Sequence, residues 1–155
     1  MKKILLSLSM AFAAALGANA DTVDIVFSEL GYANAEDVTT VDTKGSPISV
    51  VCDKNTSSNP PKYYNTGTGL RLYSGNTMTI SVVEGYEISN IEFTAAGNNY
   101  AVKGNTKDAD NNDNGSFSVS GANSTWTGQS SKIILNSTAT CRLQKYNPQN
   151  EAYKN

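Results

Sequence analysis

Short runs rich in Val, Ile, Thr, Tyr and Phe recur along the chain at intervals of roughly ten residues, separated by Gly and Asn. In the clearest run, Met78, Ile80 and Val82 point to one side of an extended chain while the residues between them point to the other. This alternation predicts strands joined by short turns, without helical crossovers. The predicted strands are 22–27, 47–52, 69–73, 77–83, 87–94, 99–103, 116–120, 132–135 and 140–146.

This spacing predicts an all-β fold, an antiparallel two-sheet β-sandwich. Within 87–94 the step of three between Ile88 and Ile91 breaks the period of two, which predicts a β-bulge near Ser89 and Asn90. One helical turn is predicted at 34–38. The core is predicted to contain Phe27, Val50, Leu70, Leu72, Met78, Ile80, Val82, Ile91, Phe93, Phe117, Ile133, Leu135 and Leu143.

Residues 1–20 have the pattern of a secretory signal peptide. Lys2 and Lys3 precede an apolar stretch at 4–16, and Ala18-Asn19-Ala20 is a small-x-small cleavage site. No later segment approaches the roughly 20 apolar residues of a transmembrane helix. We therefore expect one β-sandwich domain at 21–146 with a polar tail at 147–155, exported to the periplasm, the cell surface or the medium.

Composition excludes several classes of function. The chain has no histidine, which rules out His-dependent triads and HExxH zinc sites, and its two cysteines cannot build a structural zinc site alone. The formal net charge is −2, and loss of Lys2 and Lys3 makes it more negative. The charges are scattered, which argues against nucleic acid as a partner. No cofactor is predicted.

Several motifs together carry a resemblance. They are KYYNTGTGLRLYSGNTMTI at 62–80, Ile88-x-x-Ile91-x-Phe93, Gly115-Ser116-Phe117, Trp126-x-Gly128 and RLQKY at 142–146. In these motifs the chain resembles the uncharacterised β-sandwich modules of secreted and cell-surface proteins of Bacteroidetes-type bacteria. The resemblance implies a jelly-roll-like sandwich and a surface or extracellular role, and it supplies no catalytic residues.

Aromatic residues and one arginine beside a surface loop are the candidates for ligand binding. The loop 55–61 is rich in Ser, Asn and Pro, which places it at the surface. A tyrosine ring offers apolar area together with a hydroxyl, which suits sugars and protein surfaces. Neighbouring residues of a strand face opposite sides, so at most one of the two adjacent tyrosines is core. The candidates are Tyr63, Tyr64, Arg71, Tyr73 and Trp126. Packing alone also explains such rings.

The acidic stretch 108–115 is dense in oxygen ligands. Asp110, Asn112 and Asn114 fit the first half of a calcium loop, but the twelfth position is Gly121 where a glutamate is required. The alternative is a hairpin loop closed by Asn114-Gly115. At best we expect weak calcium binding here.

Cys52 and Cys141 both lie on the apolar side of their predicted strands. An oxidising compartment permits a disulfide between them, and two separate buried thiols are the alternative.

These patterns favour an exported, non-catalytic binding or adhesion module whose partner is a glycan or a cell-surface protein. The alternative is a small carboxylate-dependent glycoside hydrolase, or an accessory domain of a secreted enzyme. The carboxylates available to such an enzyme are Glu29, Asp53, Glu84, Glu87 and Glu92, and their spacing selects no pair.

Overall fold

The computed structural model describes residues 2–7, 11–16, 19–67 and 69–144, and it confirms the all-β prediction. No α-helix occurs among these residues, and single 3-10 turns lie at Phe27–Glu29 and Asn98–Tyr100. The strands are β1 (Lys2–Ser7), β2 (Ala11–Leu16), β3 (Asn19–Asp24), β4 (Thr40–Val41), β5 (Ile48–Asp53), β6 (Lys62–Tyr64), β7 (Gly69–Leu72), β8 (Thr77–Val82), β9 (Tyr86–Thr94), β10 (Gly104–Lys107), β11 (Ser116–Ser120), β12 (Asn123–Ser130), β13 (Lys132–Ser137) and β14 (Cys141–Leu143).

The strands form three sheets that pack around one core. The first has the order β10-β13-β8-β5-β4, the second β14-β7-β6, and the third contains β9-β12-β11 with β1 to β3 beyond β9. An antiparallel bridge between Ala95 and Leu143 joins the end of β9 to β14, and the amide of Gln144 donates to the carbonyl of Thr94 at 3.1 Å. The second and third sheets are therefore connected side by side. This arrangement is that of an all-β sandwich.

Among the described residues the strand pairings are antiparallel except two: β1 runs parallel to β3 and to β9, while it pairs antiparallel with β2. The predicted signal peptide covers β1, β2 and the first residues of β3, so these parallel pairings belong to the full chain. Cleavage after Ala20 and the jelly-roll connectivity stay predictions. The tail 147–155 lies outside the described residues. The described part of the chain has no helix with the length and apolarity to span a bilayer.

The core is built from the alternating strands. In the first sheet, Val50 pairs with Ile80 and Ile80 pairs with Ile133, and all three side chains are fully buried in the core. The predicted core residues are buried except Val82 and Phe117, which are partly buried and pack against the core. Residues that the prediction omitted are also buried, among them Ile25, Val38, Tyr63, Ile88 and Trp126.

Some predicted elements were wrong. Residues 99–103 were expected to form a strand, but a 3-10 turn at Asn98–Tyr100 precedes an extended segment and the strand begins at Gly104. The helical turn predicted at 34–38 is absent: Asn34 and Ala35 form a turn in which Ala35 has a positive φ of 63°, and residues 36–38 then hydrogen-bond along β6. The amide of Val38 donates to the carbonyl of Pro61 at 2.9 Å, and Asp37 bridges to Lys62.

A register irregularity occurs where the β-bulge was predicted. Between β9 and β12, Asn90 pairs with Thr127 and Ile88 pairs with Ser130, so β12 advances three residues while β9 advances two. Against β12 the extra residue therefore belongs to β12, whereas against β1 it is Ser89 of β9, because Ile88 pairs with Ile4 and Asn90 with the next residue, Leu5. Ile88 and Ile91 are both fully buried despite their spacing of three.

Candidate functional site

The second sheet places three cations in one row. Lys62 lies opposite Arg71 in the β6–β7 pair, and Arg142 lies opposite Arg71 in the β7–β14 pair. Directly opposed residues of an antiparallel pair face the same side of the sheet. Their neighbours Leu70, Leu72 and Leu143 are fully buried, so the three cations point away from the core.

Arg71 is held by two tyrosines. Its guanidinium carbon lies 3.9 Å from the centroid of the Tyr64 ring, and the hydroxyls of Tyr64 and Tyr73 are 3.4 Å apart. A guanidinium stacked on a ring gains a cation–π interaction and keeps the N–H groups at its edge available. Burial raises the pKa of Tyr73 and the neighbouring Tyr64 hydroxyl raises it further, whereas Arg71 lowers it.

Arg142 repeats this arrangement beside it. Its guanidinium carbon lies 3.9 Å from the centroid of the Tyr100 ring, which the 3-10 turn at Asn98–Tyr100 presents. The Ala96 amide donates to the Arg142 carbonyl at 2.8 Å, which holds this part of β14 beside the end of β9. We call Tyr64, Arg71, Tyr73, Tyr100 and Arg142 the arginine–tyrosine face. All five residues are half-buried.

Of the three cations in this row, Lys62 has a carboxylate partner among the described residues and the two arginines do not. Lys62 donates to Asp37 at 2.5 Å, and this hydrogen bond raises the pKa of Lys62. The ion pairs within the described ranges join Lys44 to Glu29, Lys62 to Asp37 and Lys107 to Asp113, so no carboxylate described in the chain lies within 4.0 Å of either arginine. The Nε atoms of Arg71 and Arg142 are buried and have no hydrogen-bond partner among the residues described.

The structure brings together three of the five predicted ligand residues, Tyr64, Arg71 and Tyr73. Tyr63 is instead 4 % exposed and belongs to the core, where its ring lies 5.7 Å from that of Tyr32. The expectation that only one of the adjacent tyrosines faces outward is thus met by Tyr64. Tyr63 offers a ligand almost no surface.

Trp126 was also predicted to contact a ligand, but its side chain is fully buried in β12. Its ring nitrogen donates to the carbonyl of Asn114 at 2.7 Å, so its polar group is satisfied inside the protein. The predicted strands left residues 123–129 without an element, whereas the structure forms β12 there. In the strand, its side chain faces the core beside Ile91, its partner on β9.

The prediction missed Arg142 and Tyr100. One signal in the sequence was available for Arg142: it lies between Cys141 and Leu143 as Arg71 lies between Leu70 and Leu72, a polar position inside a short apolar strand. Tyr100 has no comparable signal, because it reaches the site from a 3-10 turn rather than from a strand.

The acidic loop is organised around Asp108 rather than around the predicted calcium ligands. The Asp108 carboxylate accepts from the amides of Asp110 and Asn112 at 2.8 and 2.9 Å, and these hydrogen bonds lower its pKa. The side chain of Asn114 donates to the carbonyl of Lys132 at 3.0 Å, so it is engaged with β13. Within the described ranges no cluster of three His, Cys, Asp or Glu is placed to hold a metal ion.

Cys52 and Cys141 are both free thiols in the structure, and both are buried. The disulfide that the sequence permitted is not formed. Burial raises the pKa of each thiol to about 12, and the proximity of Cys141 contributes to the shift at Cys52.

Two of the predicted carboxylates have nearby partners in the structure. Glu29 pairs with Lys44 at 3.5 Å, and Asp53 accepts from the amide of Asn55 at 2.6 Å within its own turn. A carboxyl that the prediction omitted, Asp24, has one buried oxygen without a partner in the described part, and burial raises its pKa while Lys44 lowers it. Lys44 therefore acts electrostatically on Asp24 and forms an ion pair with Glu29.

Comparison of the chain with protein-family models, with curated proteins and with solved structures gave no match.

Proposed function

We propose that the chain is an exported binding module without catalytic activity, and that its partner is a glycan or a cell-surface protein contacted through the arginine–tyrosine face. One observation carries this proposal: Tyr64, Arg71 and Tyr73 share one outward face with Tyr100 and Arg142. Export rests on the signal-peptide pattern of residues 1–20.

The chemistry of this face suits a polar ligand. Tyr64 and Tyr73 present hydroxyls side by side, and the two guanidiniums add N–H donors in fixed planes. A sugar ring carries many hydroxyls that accept and donate hydrogen bonds, so a glycan matches this set of groups. The face lies on a sheet, and a rigid element holds such groups more firmly than a loop does.

The test is a glycan array of neutral and acidic sugars, with whole bacterial cells as a second arm. We expect Tyr64→Ala and Tyr73→Ala to weaken binding by about tenfold. Val119→Ala is the control, because Val119 is an exposed apolar residue of β11 outside this face, and it should bind as the parent does. Folding of each variant is checked by circular dichroism. If the parent binds nothing, or if both tyrosine variants bind normally, the proposal fails.

The glycosidase alternative has one observation in its favour, the raised pKa of Asp24, a carboxyl that interacts with Lys44, the ion-pair partner of Glu29. A general acid needs a raised pKa, and Asp24 has one. Release of reducing sugars, measured in the same samples, decides between the two functions. Release that Asp24→Asn abolishes would favour the enzyme over the binding module.

A further inference from the structure

Two like charges stand directly opposite each other at the centre of the arginine–tyrosine face. Arg71 and Arg142 are register partners in the β7–β14 pair, where facing side chains have Cβ atoms about 4.5 to 5.5 Å apart. Like charges in this position destabilise a sheet. A carboxylate between them would offset the repulsion, and the described residues provide none within 4.0 Å.

The stacking of each arginine fixes the plane of its guanidinium. Both guanidinium carbons lie 3.9 Å from a ring centroid, Arg71 on Tyr64 and Arg142 on Tyr100. Fixing the plane before binding reduces the entropy lost when an anion is bound. The planar fork of arginine also matches the two oxygens of a carboxylate or the oxygens of a sulfate.

The arginines are partly dehydrated as well. Each Nε atom is buried without a hydrogen-bond partner in the described ranges, although the side chains as a whole are half-buried. Burying part of a cation is unfavourable without a compensating charge. An anion on the outer N–H groups would supply that charge in surroundings where its attraction is weakly screened.

From these observations we infer that Arg71 and Arg142 together bind the anionic group of an acidic polysaccharide, a carboxylate or a sulfate. This inference rests on the proposed function and names the ligand class of the same face. The hydroxyls of Tyr64 and Tyr73 lie beside Arg71 and contact the hydroxyls of the sugar ring that carries the anion.

The rest of the molecule favours an acidic sugar over a nucleic acid. Lys62, the third cation of the row, is already paired with Asp37, so the row offers an anion only its two arginines. Two adjacent arginines bind one or two anionic groups, whereas nucleic-acid binding requires an extended basic surface. The site therefore fits an anionic group that is carried on a hydroxyl-rich sugar.

The experiment measures binding of the full protein to polygalacturonate and to its methyl ester, which has the same backbone without the charge. Dextran sulfate and dextran form a second matched pair, and polyphosphate is a third probe. We expect each acidic polymer to bind at least about tenfold more tightly than its neutral partner, with affinity falling as salt is added.

Variants assign the effect to the two arginines. Arg71→Gln and Arg142→Gln should each reduce acidic binding by about tenfold or more and remove the preference over the neutral polymer. Arg71→Lys keeps the charge but loses the planar fork, so it should bind weakly and fold even where the glutamine variant does not. Lys132→Gln removes an exposed cation of the opposite sheet and should change nothing.

The outcomes of these measurements separate the inference from the proposed function. Equal affinity for an acidic polymer and its neutral partner overturns the inference and leaves the binding function standing. Acidic binding that survives both glutamine variants, or polyphosphate binding as tight as that of polygalacturonate, also overturns it. Absence of binding to every glycan, charged or neutral, removes the inference and the glycan arm of the proposed function together.

Discussion

Asn76 connects two backbone segments through three hydrogen bonds of its buried side chain. Its Oδ1 accepts from the amide of Tyr73 at 2.7 Å, and its Nδ2 donates to the carbonyls of Lys54 and Asn59 at 3.1 and 2.8 Å. The residue is fully buried. It therefore ties the loop before β6 to the turn between β7 and β8, and it fixes the backbone of Tyr73 on the arginine–tyrosine face.

We expect Asn76→Ala to lower the free energy of unfolding by about 3 kcal/mol or more, because it strands an amide and two carbonyls that each cost about 1 to 3 kcal/mol when unpaired. Urea unfolding followed by fluorescence measures the loss. Asn105→Ala is the control, since Asn105 is exposed on β10 and should change stability by less than about 0.5 kcal/mol. Similar midpoints for the two variants would contradict the role of Asn76.

At the scale of elements, two glycines pack directly against the Trp126 ring of β12. A Cβ at Gly128 would lie 2.7 Å from Cζ2 of the indole, and a Cβ at Gly115 would lie 2.6 Å from its Cε2. Gly115 also has a positive φ of 68°, which side chains rarely adopt. The motifs Gly115-Ser116-Phe117 and Trp126-x-Gly128 thus have a packing explanation, because their glycines leave room for the buried indole of Trp126.

Gly128→Ala isolates this packing effect, because the new methyl must displace the ring. We expect it to destabilise the protein by about 1 to 3 kcal/mol, the usual effect of overpacking, and to shift tryptophan fluorescence. Gly97→Ala is the matched control, since a Cβ there meets nothing within 4 Å and the backbone is extended. A Gly128→Ala protein as stable as the Gly97→Ala protein would show that the ring adjusts freely.

The sequence predicted the strands whose pattern is local. In β5 and β8 buried aliphatic residues alternate with less buried ones, so periodicity alone located them. β12 lacks that signal, because besides Trp126 its buried residue is Ser124, whose hydroxyl donates to the carbonyl of Val102 at 2.6 Å. A buried serine is stable only with such a partner, and the partner is distant in the sequence.

The residues of the candidate site also divide into those that the sequence pattern could group and those that it could not. Tyr64, Arg71 and Tyr73 lie close together in the chain, so composition near a surface loop was enough to group them. Arg142 and Tyr100 join them only through the β7–β14 pairing and the 3-10 turn. Such long-range contacts set the charge pattern of the face, and periodicity within one strand carries no information about them.

For the whole molecule, the titration of buried groups predicts how stability changes in alkali. Burial raises the pKa of Cys52 and Cys141 from 9.0 to about 12, and it raises the pKa of Tyr32 from 10.0 to about 12. Between these values the unfolded chain has lost protons that the folded protein retains. The folded state is then disfavoured as pH rises, so the stability contribution that is complete below about pH 9 is lost progressively up to about pH 12.

We therefore expect the urea midpoint to change little between about pH 7 and 8.5 and to fall steadily from about pH 9 to 11. The double variant Cys52→Ala with Cys141→Ala is compared with the parent. The quantity compared is the steepness of the fall with pH, because replacing two core side chains also lowers the absolute stability. Because only Tyr32 then remains of the three groups, the fall should be shallower and begin about one pH unit higher. A parent protein whose pH profile matches that of the double variant would contradict two buried thiols, and thiol titration of the denatured, unreduced protein would then show whether a disulfide has replaced them.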